Sequence, residues 1–198
     1  VIGCAECHTL SPEKHSDTFN HAGSKVHTVV TPEDCAVCHP VERREFSENI
    51  MSEAHGNLEG NPVYDAMTTA AIGPISFYGT ELKQQELDDK GKADSCLFCH
   101  GTKLMVTKNE NRETAMGPMS FPVIKGWPNQ GVGRINPDGS EGSCSACHPR
   151  HRFSIETARK PETCSQCHKG PDVPAYKVYN VSKHGNIYNA QKNSEKWN

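Results

Sequence analysis

"CSACHPRH", residues Cys144–His151, holds a Cys-x-x-Cys pair, a histidine directly after it, and a further histidine three residues on. The first five residues, with Cys144, Cys147 and His148, form a unit that occurs four more times. The others carry Cys4, Cys7 and His8; Cys35, Cys38 and His39; Cys96, Cys99 and His100; Cys164, Cys167 and His168. Together they use all ten cysteines of the chain. Only 11 of 198 residues are histidine, so five chance placements would be roughly a one-in-two-million event, and the pattern reads as c-type haem attachment. The two thiols form thioethers with the haem vinyl groups, and the following imidazole becomes the proximal iron ligand. Zinc ribbons do not need a histidine after each pair. A thioredoxin-like redox site would occur once. A disulfide framework would not favour a single spacing.

Composition agrees. Hydrophobic residues make up 34% of the chain, against roughly 45–50% in an ordinary globular domain counted with glycine. A chain this polar buries a thin core by itself, and five covalent haem c groups with their irons would supply the missing apolar interior. The formal charge is −3. Haem propionates add up to about ten more negative charges, which argues against nucleic acid and anionic membrane surfaces and suits basic redox partners. There is no run of about eighteen apolar residues, hence no expected membrane span. The chain starts "VIGCAECH" without a leader, which reads as a processed, exported protein, periplasmic or extracellular.

The attachment units do not repeat at a fixed period; their first cysteines lie 31, 61, 48 and 20 residues apart. In residues 41–56, Phe46, Ile50 and Ala54 fall at helical spacing before Gly56. Residues 80–92 read as a charged, solvated helix. Residues 172–185 read as a helix with Asp172 as N-cap and Pro174 in the first turn. Residues 117–142 hold six glycines and four prolines, which excludes a helix and points to a surface loop or a lid. No stretch alternates with period two. The expected fold is mainly α: a loop-rich multihaem cytochrome c fold with the haems as core and little or no sheet. One domain spans 1–198, with looser parts at 1–60, 61–142 and 143–198.

Six histidines lie outside the five units: His15, His21, His27, His55, His151 and His184. Five irons each have a sixth position to fill, so these are candidate distal ligands. His151 sits one turn past His148 and cannot easily reach the opposite face of the same haem, but it can reach a neighbour. His55 and His184 end expected helices before a glycine. His27 is the first choice among the N-terminal three, with His15 and His21 as further possibilities. No histidine lies between His100 and His148, which leaves Lys103, Met105, Met116 and Met119 near the haem of Cys96 and Cys99. That haem is expected to lack a distal histidine.

"CSACHPRHRFS", "RKPETCSQCHKGPD" and "SKHG" together resemble the octahaem hydroxylamine oxidoreductase family, and the upstream sites are collinear with it. The resemblance implies a tightly packed, mostly helical multihaem fold. It implies His151, His184, His55 and His27 as distal ligands, and an open iron at the haem of Cys96 and Cys99 for a nitrogenous substrate. Asp172 would then lie near that iron as a proton relay. Asp172-Val173 stands where the family has Asp-His, and the family's cross-linking tyrosine has no counterpart. The chain reads as a pentahaem relative or a piece of an octahaem protein. The first functional expectation is electron transfer through stacked, mostly bis-histidine haems. It implies redox partner proteins, other cytochromes among them, and allows a homo-oligomer or larger multihaem assembly. The alternative is a hydroxylamine or nitrite oxidoreductase; a third is a conducting subunit of a larger complex.

Overall fold

The computed structural model describes residues 2–194. The chain divides into two compact units, Val1–Cys144 and Ser145–Asn198.

The first unit opens with the single turn α1 (Ala5–His8) and the hairpin β1 (Thr18–His21) and β2 (Ser24–His27). Thr18 pairs with His27 and His21 with Ser24. The two-residue turn Ala22-Gly23 has positive φ at both positions, the twist that suits a tight hairpin. Next come α2 (Pro32–Ala36) and α3 (Pro40–Ser47). Thr31 and Asp34 close a reciprocal capping box on α2, and Pro32 opens the helix with its fixed φ. Then α4 (Pro62–Ile72) starts from the Asn61 cap, followed by the hairpin β3 (Ile75–Tyr78) and β4 (Glu81–Gln84). Two short helices, α5 (Asp89–Asp94) and α6 (Cys96–His100), precede the long hairpin β5 (Met105–Thr114) and β6 (Gly117–Lys125). Phe121 of that hairpin meets Phe19 of β1, ring centroids 5.2 Å apart.

Residues 126–143 form no helix or strand, yet Asn129, Arg134, Asn136 and Ser143 are buried. Asn136 Nδ2 donates to the carbonyls of Ser140 and Gly142, and Arg134 Nε donates to Asn136 Oδ1 at 2.7 Å. Side-chain amides here meet backbone groups that a regular element would have paired.

The second unit holds α7 (Ile155–Ala158), α8 (Pro161–Cys164), α9 (Ala175–Val181) and α10 (Lys183–Gln191). Tyr188 is its buried apolar residue; the phenol donates to Glu162 at 2.9 Å. Ser182 stands between α9 and α10 in extended conformation, and its hydroxyl accepts from the Gly185 N–H.

The expectation of a mainly α fold is overturned. Among the described residues helix accounts for 34% and strand for 20%, in three small antiparallel sheets. Residues 80–92 are not one helix, because Gly79 at φ +67° turns the chain so that Tyr78 pairs with Glu81, and only Asp89–Asp94 coils. Gly117–Lys125 is no loop but strand β6; it lacks period-two alternation because most of its partner β5 is exposed on both faces. The helix expected over 41–56 stops at Ser47. Beyond it Asn49 Oδ1 accepts the Met51 N–H, and the Ser52 hydroxyl donates to the Asn49 carbonyl. Such local bonds compete with the helical ladder. The helix expected over 172–185 is broken at Ser182, so His184 opens α10 rather than ending a helix.

Candidate functional site

Each Cys-x-x-Cys-His unit sits at a short helical turn. The His8, His39 and His168 N–H groups donate to the carbonyls of Cys4, Cys35 and Cys164 at 3.0, 2.8 and 2.9 Å. The N–H groups of the second cysteines, Cys7, Cys38 and Cys167, donate to the same three carbonyls at 3.3, 3.1 and 3.2 Å. In α6 the corresponding residues are Cys96, Cys99 and His100, and the Cys99 carbonyl also accepts the Val132 N–H at 2.9 Å. A helical i, i+4 relation sets the first sulfur and the imidazole on one face of the turn. None of the ten cysteines is bound in a disulfide, so no such bond competes for the thiols.

The sequence treats the five units alike; the structure sets their thiols differently. Among the second cysteines, Cys38, Cys147 and Cys167 are exposed, while Cys7 and Cys99 are half-buried. The difference follows from the turns. Cys38 lies just past the end of α2, Cys147 just past the 3-10 turn Cys144–Ala146, and Cys167 in the turn after α8. Cys99 lies inside α6, against the residue 126–143 segment. Burial, then the charge of Asp34, raises the Cys7 thiol, with Cys38 among the smaller causes, so the first two units are neighbours in space.

The residues fit haem on a second ground. Buried hydrophobic side chains among the described residues number five: Val29, Ala54, Leu97, Leu104 and Tyr188. Large apolar residues in and beside the units lie exposed instead, including Val37, Val41, Phe98 and Phe153. A core that small does not hold a chain of this length, and porphyrin faces are apolar surfaces that such residues would cover.

The imidazoles give the third ground. His8 Nδ1 lies 2.8 Å from the His27 carbonyl, His27 Nδ1 3.0 Å from the Val29 carbonyl, His55 Nδ1 2.6 Å from the Gly101 carbonyl, and His100 Nδ1 2.9 Å from the Ala54 carbonyl. A carbonyl only accepts, so in all four rings Nδ1 carries the proton. The Nε2 lone pair is thereby presented as a ligand, the arrangement that metal-bound histidines use.

These bonds join elements far apart in sequence. The Ala54–His55 and His100–Gly101 segments are bonded to each other twice. Gly101, at φ +95°, lies so close to the Arg134 backbone that a Cβ would collide there. The Cys35 and Cys144 thiols, 109 positions apart (144 − 35), stand against each other. The hydrogen bond from Cys35, with the charges of Arg134 and Arg43, pulls Cys144 down to about 7 although burial opposes it; Cys35 is pushed up. Two attachment cysteines remote in sequence thus meet within the first unit.

His15 and His27 are both buried and stack face to face, centroids 3.6 Å apart and planes at 19°. His15 Nδ1 is 3.4 Å from Asp17 Oδ1 and its Nε2 is 3.3 Å from Asp34 Oδ1. Burial alone would lower the His15 pKa, but the two carboxylates outweigh it and raise it to about 9. Burial, then the charge on His15, lowers that of His27, which keeps it neutral.

The remaining predicted residues are placed otherwise. His21 is exposed on β1 and lines a shallow apolar pocket with Phe19, Met116, Met119 and Phe121. His151 is exposed at φ +64°. Asp172 is exposed in the second unit, as is His184 at the start of α10. His39 is exposed as well; the His168 Nδ1 atom is buried without a hydrogen-bond partner. Sequence reading missed Asp17, Asp34, Arg134 and Tyr64. The Tyr64 phenol faces Cys96 and is pushed up to about 12, chiefly by burial. Asp34 had a signal, the T-x-x-D box of "TPEDC"; Asp17, Arg134 and Tyr64 had none.

Repeated attachment turns, four imidazoles with the protonated nitrogen tied to backbone, and a core too small without porphyrin define the class: the chain is a multihaem c-type cytochrome with covalently bound haem. Residues 137–198 match the family described as "Seven times multi-haem cytochrome CxxCH". A probable nitrite reductase-hydroxylamine oxidoreductase fusion protein of Kuenenia stuttgartiensis is 32% identical over 227 aligned positions, covering 96% of this chain and 25% of that protein. A solved structure, a hypothetical multiheme protein, is 46% identical with a TM-score of 0.84, covering 96% of this chain and 36% of that one. The chain therefore spans about a quarter to a third of the length of these relatives. Proteins of this class are typically exported and pass electrons to partner proteins. Among the described residues no helix is long and apolar enough to cross a membrane.

Proposed function

We propose that the chain conducts electrons through five covalent haems, most of them bis-histidine, and has no substrate of its own. The first haem is held by Cys4 and Cys7 with His8 as proximal ligand, the second by Cys35 and Cys38 with His39. Cys96 and Cys99 hold the third with His100, Cys144 and Cys147 the fourth with His148, and Cys164 and Cys167 the fifth with His168. His27, His55, His151 and His184 are the distal ligands. The observation that carries this reading is the backbone-tied Nδ1 of His27 and His55, which match the proximal His8 and His100 in tautomer. A ring nitrogen held in this way is prepared to bind iron without reorganising.

The directions of these bonds constrain which iron each serves. His100 turns Nδ1 toward Ala54, so its Nε2 faces away from the 54–55 segment. His55 turns Nδ1 toward Gly101, so its Nε2 faces away from residues 100–101. The two rings ligate different irons. His8 Nδ1 is bound to the His27 carbonyl, so its Nε2 faces away from that carbonyl. The reciprocal bonds of His55 and His100 thus tie two haems together. The partner is a redox protein, periplasmic or extracellular, or a further multihaem assembly.

The test is the ferric holoprotein. Intact mass should exceed the apo-chain by five haem masses, and the bis-histidine haems should be low-spin. A second reading is favoured by the name of the Kuenenia relative and by the position of His55. With His55 assigned to another iron, the third haem is left without an assigned distal histidine. A high-spin haem there that binds hydroxylamine or nitrite would replace the conductor reading with an enzymatic one.

A further inference from the structure

His15 is the buried group that the haem sites do not use. An imidazole has two nitrogens, and both of those on His15 face carboxylates, Asp17 at 3.4 Å and Asp34 at 3.3 Å. Nε2 is hydrogen-bonded to Asp34, and Nδ1 stands in ion-pair range of Asp17 Oδ1 without a hydrogen bond. His27 differs: Nδ1 donates to the Val29 carbonyl, while Nε2 is buried without a hydrogen-bond partner, its nearest carboxylate oxygen 3.9 Å away on Asp34. Both His15 nitrogens lie within 3.4 Å of a carboxylate, whereas His27 Nε2 stands 3.9 Å from one.

The holding reaches the backbone that carries His27. Asp17 Oδ2 accepts the N–H groups of Thr28 and Val29 at 2.9 and 2.8 Å, the two residues directly after His27. Asp34 Oδ2 accepts the Thr31 N–H at 2.8 Å, and the Thr31 hydroxyl donates onward to Asp138 at 2.8 Å. Asp34 itself directly precedes Cys35 of the second attachment unit. All of Asp17, His15, His27, Thr31 and Asp34 are buried. The His27 ring is thus fixed three ways: at Nδ1 by the Val29 carbonyl, at its backbone through Asp17, and across its face by the stacked His15.

We propose that His15 is a positioning residue for His27: clamped by Asp17 and Asp34, it fixes the plane of the imidazole that ligates a haem iron and sets the field around it. The proposal rests on the reading of His27 as a distal ligand. The rotational setting of an axial imidazole governs the splitting of the ferric low-spin signal, and burial and hydrogen bonding around the ligand tune the potential. Both quantities are therefore readouts that a purely structural residue would leave alone.

The experiment uses ferric holoprotein and four variants. His15→Phe keeps an aromatic face but loses both clamps; His15→Gln keeps a polar group but loses the stack; Asp17→Asn keeps the shape and serves where the His15 variants fold poorly. The expected result is an unchanged haem count with all bis-histidine haems low-spin. One electron paramagnetic resonance signal and one midpoint potential should shift, and Asp17→Asn should move the same signal. His27→Ala, the fourth variant, should convert one haem to high spin. If His27→Ala leaves every haem low-spin, the ligand reading itself fails. If His27→Ala behaves as expected but His15→Phe creates a second high-spin haem, His15 is a ligand and the proposal is overturned. Unchanged signals and potentials in His15→Phe and Asp17→Asn overturn it as well. So does a non-haem metal ion, found by elemental analysis of the wild type and lost in His15→Phe, since His15, Asp17 and His27 would then be its ligands.

Discussion

Replacing Arg134 by methionine should destabilise the protein by about 3–5 kcal/mol. The guanidinium is 1% exposed and lies over the Trp127 ring, 5.6 Å from its centroid. It donates to Asn136 Oδ1 at 2.7 Å, to the Asn129 carbonyl at 3.0 Å and to the Val30 carbonyl at 3.2 Å. The Asn129 carbonyl keeps the Gln130 side chain as a donor after the substitution. The Val30 carbonyl and Asn136 Oδ1 lose the Arg134 donor, at about 1–3 kcal/mol for each acceptor left unmet. Loss of the cation–π contact adds about 0.5–2 kcal/mol. Methionine preserves much of the volume and removes the desolvation cost of a buried charge, which holds the net to the stated range. For a chain of this size about 2–4 °C accompanies each kcal/mol, so the unfolding midpoint should fall by about 6–20 °C. The assay is thermal unfolding of the holoprotein followed in the far-ultraviolet and the Soret band. The exposed Lys125→Ala variant is the comparison and should stay within about 1 kcal/mol of wild type. A loss below about 1 kcal/mol for Arg134→Met would refute the claim that this side chain holds residues 126–143 in place.

Gly101→Ala should cost at least about 3 kcal/mol, measured by denaturant unfolding, because φ is +95° and the new Cβ would strike the Arg134 backbone. The same variant should perturb the spectrum of the haem held by Cys96 and Cys99, since Gly101 directly follows His100 and supplies the carbonyl that holds His55. His55→Ala should turn one haem high-spin and leave the His100-ligated iron's proximal bond intact, read by magnetic circular dichroism. For Glu162, partial burial pushes its pKa up. Hydrogen bonds from its own backbone N–H, the Tyr188 phenol and Lys192 prevail, holding it below its usual value of 4.5. A depressed folded-state pKa contributes stability above about pH 4.5 that is lost as pH falls through the folded value. Glu162→Gln should therefore cost up to about 1 kcal/mol near neutral pH, with the difference from wild type vanishing in acid unfolding curves below that value.

The haem chemistry was legible because covalent attachment demands adjacent residues of fixed type. Five Cys-x-x-Cys-His units need no tertiary structure to be read. What the units could not show is the setting of each thiol: Cys38, Cys147 and Cys167 exposed past the ends of their turns, Cys99 half-buried within α6. The fold was less legible because a chain that builds its interior from porphyrin carries little hydrophobic periodicity of its own. Strand β6 shows this. Its partner β5 is exposed along most of its length, so neither strand had to alternate apolar and polar residues, and the prolines at 118 and 122 read as a loop. Residues 126–143 misled in the other direction. Glycine and proline there reflect a buried, irregular path held by Asn129, Arg134 and Asn136, where glycine permits close approach to α6 and to the Ala54–His55 backbone. Composition alone cannot separate a buried irregular segment from a solvated one.

The histidines show where sequence reading reaches its physical limit. His15, His21 and His27 lie within thirteen residues, and nothing in their immediate neighbours distinguishes a ligand from a clamp or a surface residue. The structure separates them by one property, the partner of each ring nitrogen. His27 has one nitrogen on a carbonyl and one 3.9 Å from the nearest carboxylate oxygen; His15 has one hydrogen-bonded to Asp34 and the other 3.4 Å from Asp17; His21 stands exposed at the end of a strand. The carboxylates that decide the matter come from Asp17, two residues from His15, and Asp34, nineteen residues on. Asp34 is held there by the α2 capping box, so a helix start and a charge on the neighbour of the proposed iron ligand are set by one side chain. A capping signal in the sequence thus carried information about the haem site, but only the fold could show which histidine it reached.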